Sequence, residues 1–371
     1  MAMRNRLIRY AVTQLGFKAV ALETGLTASK RIYDRVLGKT TETEAALKAA
    51  FSYHFGTLPE NLELMQWLRN YNAAQPAERQ VHFYGIDITD TPLPDTSQPV
   101  WEVLDFVDHA NPNLGRELHK RYADVISLFE PDKYAKLASA EKDAITAKIQ
   151  DLIALIRRER GELTSATSGD EYEWVLRESL NAAQDDVYMR SLPPEFNPEQ
   201  FRQKPELRDL AMADNLMWVQ QREMPRGKTF FFAHDAHVSA SVIGSRALPG
   251  PRWQPGLDGA SRLAGMYLRS MLGRDMVAIG TWFGHGEGFP VEPSPLPPGA
   301  EGLDGLLSSL AIPIFIMDLR EVPSGSDLRQ WFQAGHEARN GCCGYFKAVP
   351  ADAYDAILFT ESITPAPVPK Q

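Results

Sequence analysis

Phe17-Lys18-Ala19-Val20-Ala21-Leu22-Glu23 is the stretch on which the fold turns. It is short, mostly apolar, and stops on a carboxylate. That pattern suits a buried strand whose polar residue marks its C-terminal end. Residues 4–15 read as a helix closed by Gly16, and residues 28–36 as a second helix ending at Gly38. Residues 60–71 are helical by spacing, with Leu62, Met65 and Leu68 on one face. A second buried run follows, Val81-His82-Phe83-Tyr84-Gly85-Ile86-Asp87, again ending in a carboxylate. Strand, helix, helix, strand is the signature of an α/β sheet.

Further along, residues 101–218 offer no strand. Residues 136–162 read as one long helix, with apolar positions at Leu137, Ile145, Ile149, Leu152, Ile153 and Ile156. Residues 171–190 and 205–220 read as two more, and Pro193, Pro194 and Pro198 interrupt the series. The α/β pattern resumes at Lys228-Thr229-Phe230-Phe231-Phe232-Ala233. It continues through a helix at 260–272 and strands at 276–281, 312–317 and 356–360, with Pro/Gly loops at 249–259 and 290–299. The expected architecture is a three-layer α/β/α sheet core formed by residues 1–100 and 225–371. A helical insertion occupies 101–224, and the tail 365–371 frays.

Composition narrows the class. The chain has 371 residues, 44% of them hydrophobic and 23% charged, with a formal net charge of -9. The length suffices for one large core or two smaller ones. The acidic balance argues against a nucleic-acid partner, because phosphate binding needs clustered Lys and Arg. No apolar run approaches the ~18 residues of a membrane helix. Gln14, Lys18 and Glu23 break the apolar part of the N-terminal stretch, so a signal peptide is not expected. The expectation is a cytoplasmic protein with neither a membrane nor a nucleic acid as partner. Cys342 and Cys343 are the only cysteines; adjacent in a Gly-bounded turn, they cannot form an ordinary disulfide without strain.

Three strands end in ionisable residues, Glu23, Asp87 and His234. In open α/β sheets the ligand crevice lies beyond the carboxyl ends of the strands, so these are site candidates. A strand-end carboxylate can equally cap the next helix. His234-Asp235-Ala236-His237 could hold a metal on one helical face, but no third ligand stands at an obvious spacing, and no metal or other cofactor is expected. A strand-end histidine can instead serve as acid, base or electrostatic partner. Gly284-His285-Gly286-Glu287-Gly288 lacks the lysine of a P-loop, and Glu287 would repel phosphate. It reads as a turn, with His285 at the surface or lining a pocket. No Gly-x-Ser-x-Gly elbow is present, so a serine hydrolase is not supported.

Several blocks, in order, make the chain resemble the erythromycin esterase family. They are Leu15-Gly16-Phe17 through Glu23-Thr24-Gly25, Trp67-Leu68-Arg69-Asn70-Tyr71-Asn72, Phe83-Tyr84-Gly85-Ile86-Asp87, Met212-Ala213-Asp214-Asn215-Leu216-Met217-Trp218, Ala233-His234-Asp235-Ala236-His237 and Tyr354-Asp355-Ala356-Ile357-Leu358-Phe359. Asp235 stands where the family usually has Asn. The resemblance implies a metal-independent ester hydrolase in which a histidine base activates water against a macrolide lactone. By position, Arg4, Glu23 and His234 match the family's active-site arginine, glutamate and second histidine. Asp87, His237 and His285 are then expected on the substrate side, with a small-molecule ester as partner. The family's Gly-Glu-x-x-His block, which carries the base, has no counterpart here, since only Met1-Ala2-Met3 precedes Arg4. The expectation is a chain truncated before its catalytic base. The alternative is a binding or accessory protein on the same fold, since family members also carry labels from exopolysaccharide synthesis.

Overall fold

The computed structural model describes residues 1–41, 43–88, 97–191, 205–246, 260–286, 302–340 and 344–364. The cysteine turn, the proline break, the two Pro/Gly loops and the tail lie outside the described residues. The architecture is mixed α/β, and the chain divides into two compact units, Ala2–Phe231 and, with Met1, Phe232–Gln371.

The first unit runs α1 (Ala2–Leu15), β1 (Phe17–Gly25), α2 (Leu26–Leu37), α3 (Glu44–Ala49), a 3-10 turn Ser52–Thr57, α4 (Pro59–Ala73) and β2 (His82–Asp87). The helical stretch follows as α5 (Gln98–Ala110), α6 (Pro112–Leu128), α7 (Pro131–Tyr134), α8 (Ser139–Arg158), α9 (Arg160–Ala166), α10 (Gly169–Arg190) and α11 (Pro205–Glu223). β3 (Lys228–Phe232) completes a sheet of order β2-β1-β3, with its last residue at the start of the second unit. β1 and β2 are parallel, and Ala19, Val20 and Ala21 face His82, Phe83 and Tyr84 in register. Residues 19–21 are fully buried, which is why this apolar run forms a central strand.

The expected single helix over 136–162 is two. It breaks at Glu159, which leaves the helical region (φ -83, ψ 9), two residues before Gly161. The helical stretch has its own apolar cluster, including Val103, Leu104, Leu118, Tyr122, Ile149, Leu152 and Ile156. Each such fully buried aliphatic side chain contributes about 1.5–3 kcal/mol.

α11 lies along β2 and is tied to it by polar side chains at seven-residue intervals. Arg208 reaches Asp87, Asn215 Nδ2 donates to the Ile86 carbonyl at 2.8 Å, and Arg222 Nε donates to the Tyr84 hydroxyl at 3.1 Å. That spacing returns to one helical face every two turns.

The second unit holds α12 (Asp235–Val238), β4 (Ile243–Arg246), β5 (Ala260–Ser261), α13 (Ala264–Leu272), β6 (Ile279–Gly286), α14 (Leu303–Ser309), β7 (Ile314–Asp318), α15 (Asp327–Phe332), β8 (His336–Asn340), β9 (Gly344–Ala348), α16 (Pro350–Ala353) and β10 (Ala356–Ile363). One sheet has order β6-β10-β7 and another β5-β4-β9-β8. The second of these was not expected. The helix expected over 260–272 starts at Ala264, because Ser261 pairs with Ile243 instead. The strand expected from 276 starts at Ile279. Arg269 Nη1 holds the Met276 carbonyl at 2.8 Å, and Asp355 holds the Ala278 N–H at 2.7 Å, so this segment is bonded outside the ladder. No described helix is long and apolar enough to cross a membrane.

Candidate functional site

Glu23 sits in an irregularity of β1. Leu22 faces Gly85 and Gly25 faces Asp87, so β1 takes three steps while β2 takes two. Such a bulge re-aims a side chain and is common beside active sites. The partner strand must come close here, and only glycine permits it. A Cβ on Gly85 would lie 2.4 Å from the Gly25 carbonyl oxygen and 2.5 Å from that of Thr24.

The bulge is locked to the 3-10 turn. Ser52 N donates to Thr24 Oγ1 at 2.9 Å, and Gly25 N donates to Ser52 Oγ at 2.9 Å. This lock delivers Tyr53, a non-glycine residue in the left-handed region (φ 57). Such backbone costs about 1–3 kcal/mol and persists only where its surroundings impose it.

Arg208 of α11 joins these parts. Its Nε donates to Asp87 Oδ1 at 2.9 Å and to Oδ2 at 3.1 Å, and its Nη2 also bonds Oδ2. The same Nη2 donates to Glu23 Oε1 at 2.9 Å and to the Tyr53 hydroxyl at 3.0 Å. Asp87 is completely buried, while the Glu23 side chain keeps 16% exposure. Burial works against the Arg208 charge, but Asp87, Tyr53 and Glu23 outweigh it and hold the guanidinium well above its usual pKa.

Beneath the clamp, α10 presents Glu178, Asn181 and Asp185 on one face. Thr27 Oγ1 donates to Glu178 Oε2 at 2.6 Å. Burial pushes the Glu178 carboxyl up to about 8. Asp185 is fully buried, and among the described residues neither of its carboxyl oxygens has a hydrogen-bond partner. Burial, then Asp87, Glu178 and Asp186, raise its pKa well above its usual value. In both groups burial favours the neutral acid, and Arg208 bonds both Asp87 and Glu23.

Arg4 lies in α1 and is buried. Its Nη2 donates to Asn61 Oδ1 at 2.6 Å and to Asn5 Oδ1 at 2.8 Å. Burial lowers its pKa to about 10, and Glu60 offsets part of that.

In the second unit, His234 caps α12. Its Nδ1 accepts the Ala236 N–H at 3.3 Å. Thr281 donates to the Asp235 carboxyl from its N at 3.1 Å and its Oγ1 at 3.0 Å. Burial pushes Asp235 up to about 7 despite these bonds. The His234 and His237 rings stand 6.3 Å apart, centroid to centroid, in a T-shaped arrangement. His285, on β6, is 62% exposed and pairs with Glu361 at 3.1 Å. Among the described residues, no group of three or more His, Cys, Asp or Glu could hold a metal ion.

The structure thus brings Glu23 and Asp87 together through a residue that sequence reasoning missed. Arg208 lies 185 and 121 positions from its two carboxylates. The available signal was thermodynamic, since two carboxylates at adjacent buried strand ends require a cation.

Comparison with known proteins follows the same lines. The family model described as Erythromycin esterase matches residues 12–363. Erythromycin esterase type II of Escherichia coli is 24% identical over 249 residues, which are 65% of this chain and 58% of that protein. The chain therefore spans somewhat more than half the length of this relative. A Bacillus cereus protein of known structure superposes with TM-score 0.78 at 19% identity, over 99% of this chain and 86% of its own. A succinoglycan biosynthesis protein gives 0.76 at 19%, over 98% and 84%. A mutant of the erythromycin esterase EreC in its open conformation gives 0.66 at 15%, over 97% and 86%. At these identities the structural likenesses establish the fold alone.

Proposed function

This chain belongs to the erythromycin esterase family, and on that premise we propose that it hydrolyses a carboxylic ester, a macrolide lactone or a related one, by attack of water on the carbonyl. The observation that carries the reading is the bulged, clamped Glu23 at the carboxyl end of two parallel strands, where α/β folds bind their ligands. Glu23 is an acceptor held in one orientation, suited to aligning the attacking water. His234, from its place in the family's pattern, is proposed as a second catalytic residue, with its Nδ1 taken by the Ala236 N–H. Arg4 adds a cation held by Asn5 and Asn61, and His237 and His285 are assigned to substrate contacts.

The test is erythromycin turnover followed by mass spectrometry, with Glu23→Gln and His234→Asn beside the parent chain. The expected result is a product one water heavier from the parent and neither variant matching its rate. Saturable binding of erythromycin without conversion would replace hydrolysis by a binding role. Full turnover by Glu23→Gln would remove Glu23 from the chemistry.

A further inference from the structure

We propose that Arg208 is the positioning residue of this site, holding Glu23 in a single orientation and using Asp87 as its buried anchor, so that Asp87 serves Arg208 rather than the substrate. The inference rests on the hydrolytic reading above, and its test separates the two.

Three observations support it. First, the contacts are ordered by depth. Asp87 has no exposure, Arg208 12% and Glu23 16%, so the guanidinium bridges from the interior to the one carboxylate that solvent reaches. Second, the anchor is rigid. Asp87 Oδ1 accepts both Arg208 Nε and its own neighbour's N–H, from Ile88 at 2.9 Å, and the guanidinium meets the carboxylate with two nitrogens. A planar fork seated on one carboxylate cannot turn, so the acceptor on its other edge inherits that orientation. Third, the third acceptor is the hydroxyl of Tyr53, held in a backbone conformation that its side chain disfavours. A mere helix-to-strand tie needs none of this, because Asn215 and Arg222 already fasten α11 to β2.

The clamp acts on orientation, so its loss is expected in kcat rather than KM. Arg208→Met should lower kcat on erythromycin about 10²-fold with KM little changed, the scale of a displaced reacting group. Arg208→Lys should recover little, since an ammonium has no fork. Added guanidinium ion should restore part of the Arg208→Met rate, which a purely structural arginine would not show. If Arg208→Met fails to fold, Asp87→Asn/Arg208→Met removes the stranded carboxylate and takes its place. Parental kcat in a folded Arg208→Met or double variant overturns the proposal. If the parent chain itself leaves erythromycin intact, the hydrolytic reading fails and the clamp is judged by melting temperature alone. Non-additive shifts among Glu23→Gln, Arg208→Met and their combination uphold it, and additive shifts overturn it.

Discussion

The two ends of β2 are built from the same kinds of residue and differ in backbone strain and in the buried groups that surround them. At the N-terminal end, fully buried Glu223 accepts the Tyr84 hydroxyl at 2.5 Å, His82 Nδ1 at 2.6 Å, and Arg226. Burial would raise its pKa, but His82, Tyr84 and Arg226 hold it below the usual value. There, carboxylate and guanidinium match one to one. At the C-terminal end, among the described residues, Arg208 bonds both Asp87 and Glu23. Beneath it, both oxygens of Asp185 and Oδ1 of Asn181 are buried without partners among the described residues. That end also carries the bulge and the left-handed Tyr53. An ion pair alone therefore says little about function. Buried groups without partners, strain and position beyond the strand ends are the grounds on which the C-terminal end is the proposed site, since such groups survive where they are used.

The largest test of this contrast is the pH dependence of the frustrated end. Glu178 is raised from 4.5 to about 8, so the folded chain keeps a proton that the unfolded chain releases. The stability this represents is complete below the unfolded value and is lost as pH climbs towards the folded one. At about 1.4 kcal/mol per pH unit, the loss reaches about 5 kcal/mol. Glu178→Gln keeps an acceptor for Thr27 and has no proton to lose. Denaturant melts should show it equal to the parent near pH 4.5 and increasingly more stable up to pH 8. A gap that does not widen with pH would mean Glu178 is charged and satisfied in the fold, like Glu223.

Next in size are the two arginines. Arg208→Met strands the fully buried Asp87 and should cost about 3–5 kcal/mol. Arg226→Met leaves Glu223 with His82 and Tyr84 and should cost about 1–2 kcal/mol. Urea midpoints decide the ranking. Turnover should fall with the first and not with the second. Gly85→Ala comes third. Its Cβ would meet two carbonyl oxygens at the bulge, so a backbone shift costing about 1–3 kcal/mol is expected, together with a misdirected Glu23. The His82 resonances at the far end of the strand should stay where they are.

How much of this was legible in the sequence follows from the same physics. Glu23 and Asp87 could be read because an apolar run that stops on a carboxylate is a local signal. β1 and β2 ended within two residues of the expected places. The extra step that aims Glu23 is a matter of register between strands some 60 residues apart, and no single run encodes it. Arg208 was invisible for a different reason. It lies in a helix dense in charge, among Glu206, Asp209, Asp214 and Arg222, and only the tertiary fold singles it out. The sheet β5-β4-β9-β8 went unread because its strands are at most five residues long and two of them lie far from their partners in the chain. The expected helix across Glu159 failed at the level of propensity, since apolar spacing continued through a break that Gly161 favours.

The smallest change of structure separates the two ends most cleanly, because it removes one oxygen from each. Tyr84→Phe takes a donor from a buried, charged Glu223 and should cost about 1.5–3 kcal/mol in stability with turnover unchanged. Tyr53→Phe takes an acceptor from Arg208, which keeps Asp87 and Glu23, and should cost under about 1 kcal/mol. Its consequence should appear in rate. With one of its acceptors gone the guanidinium is less constrained, and Glu23 with it, so kcat should fall several-fold while the melt barely moves. Opposite signatures from two hydroxyl deletions, one in stability and one in rate, would establish that the ends of β2 do different work. Equal stability losses with equal rates would make both ends struts, and the case for a site at the bulge would rest on family membership alone.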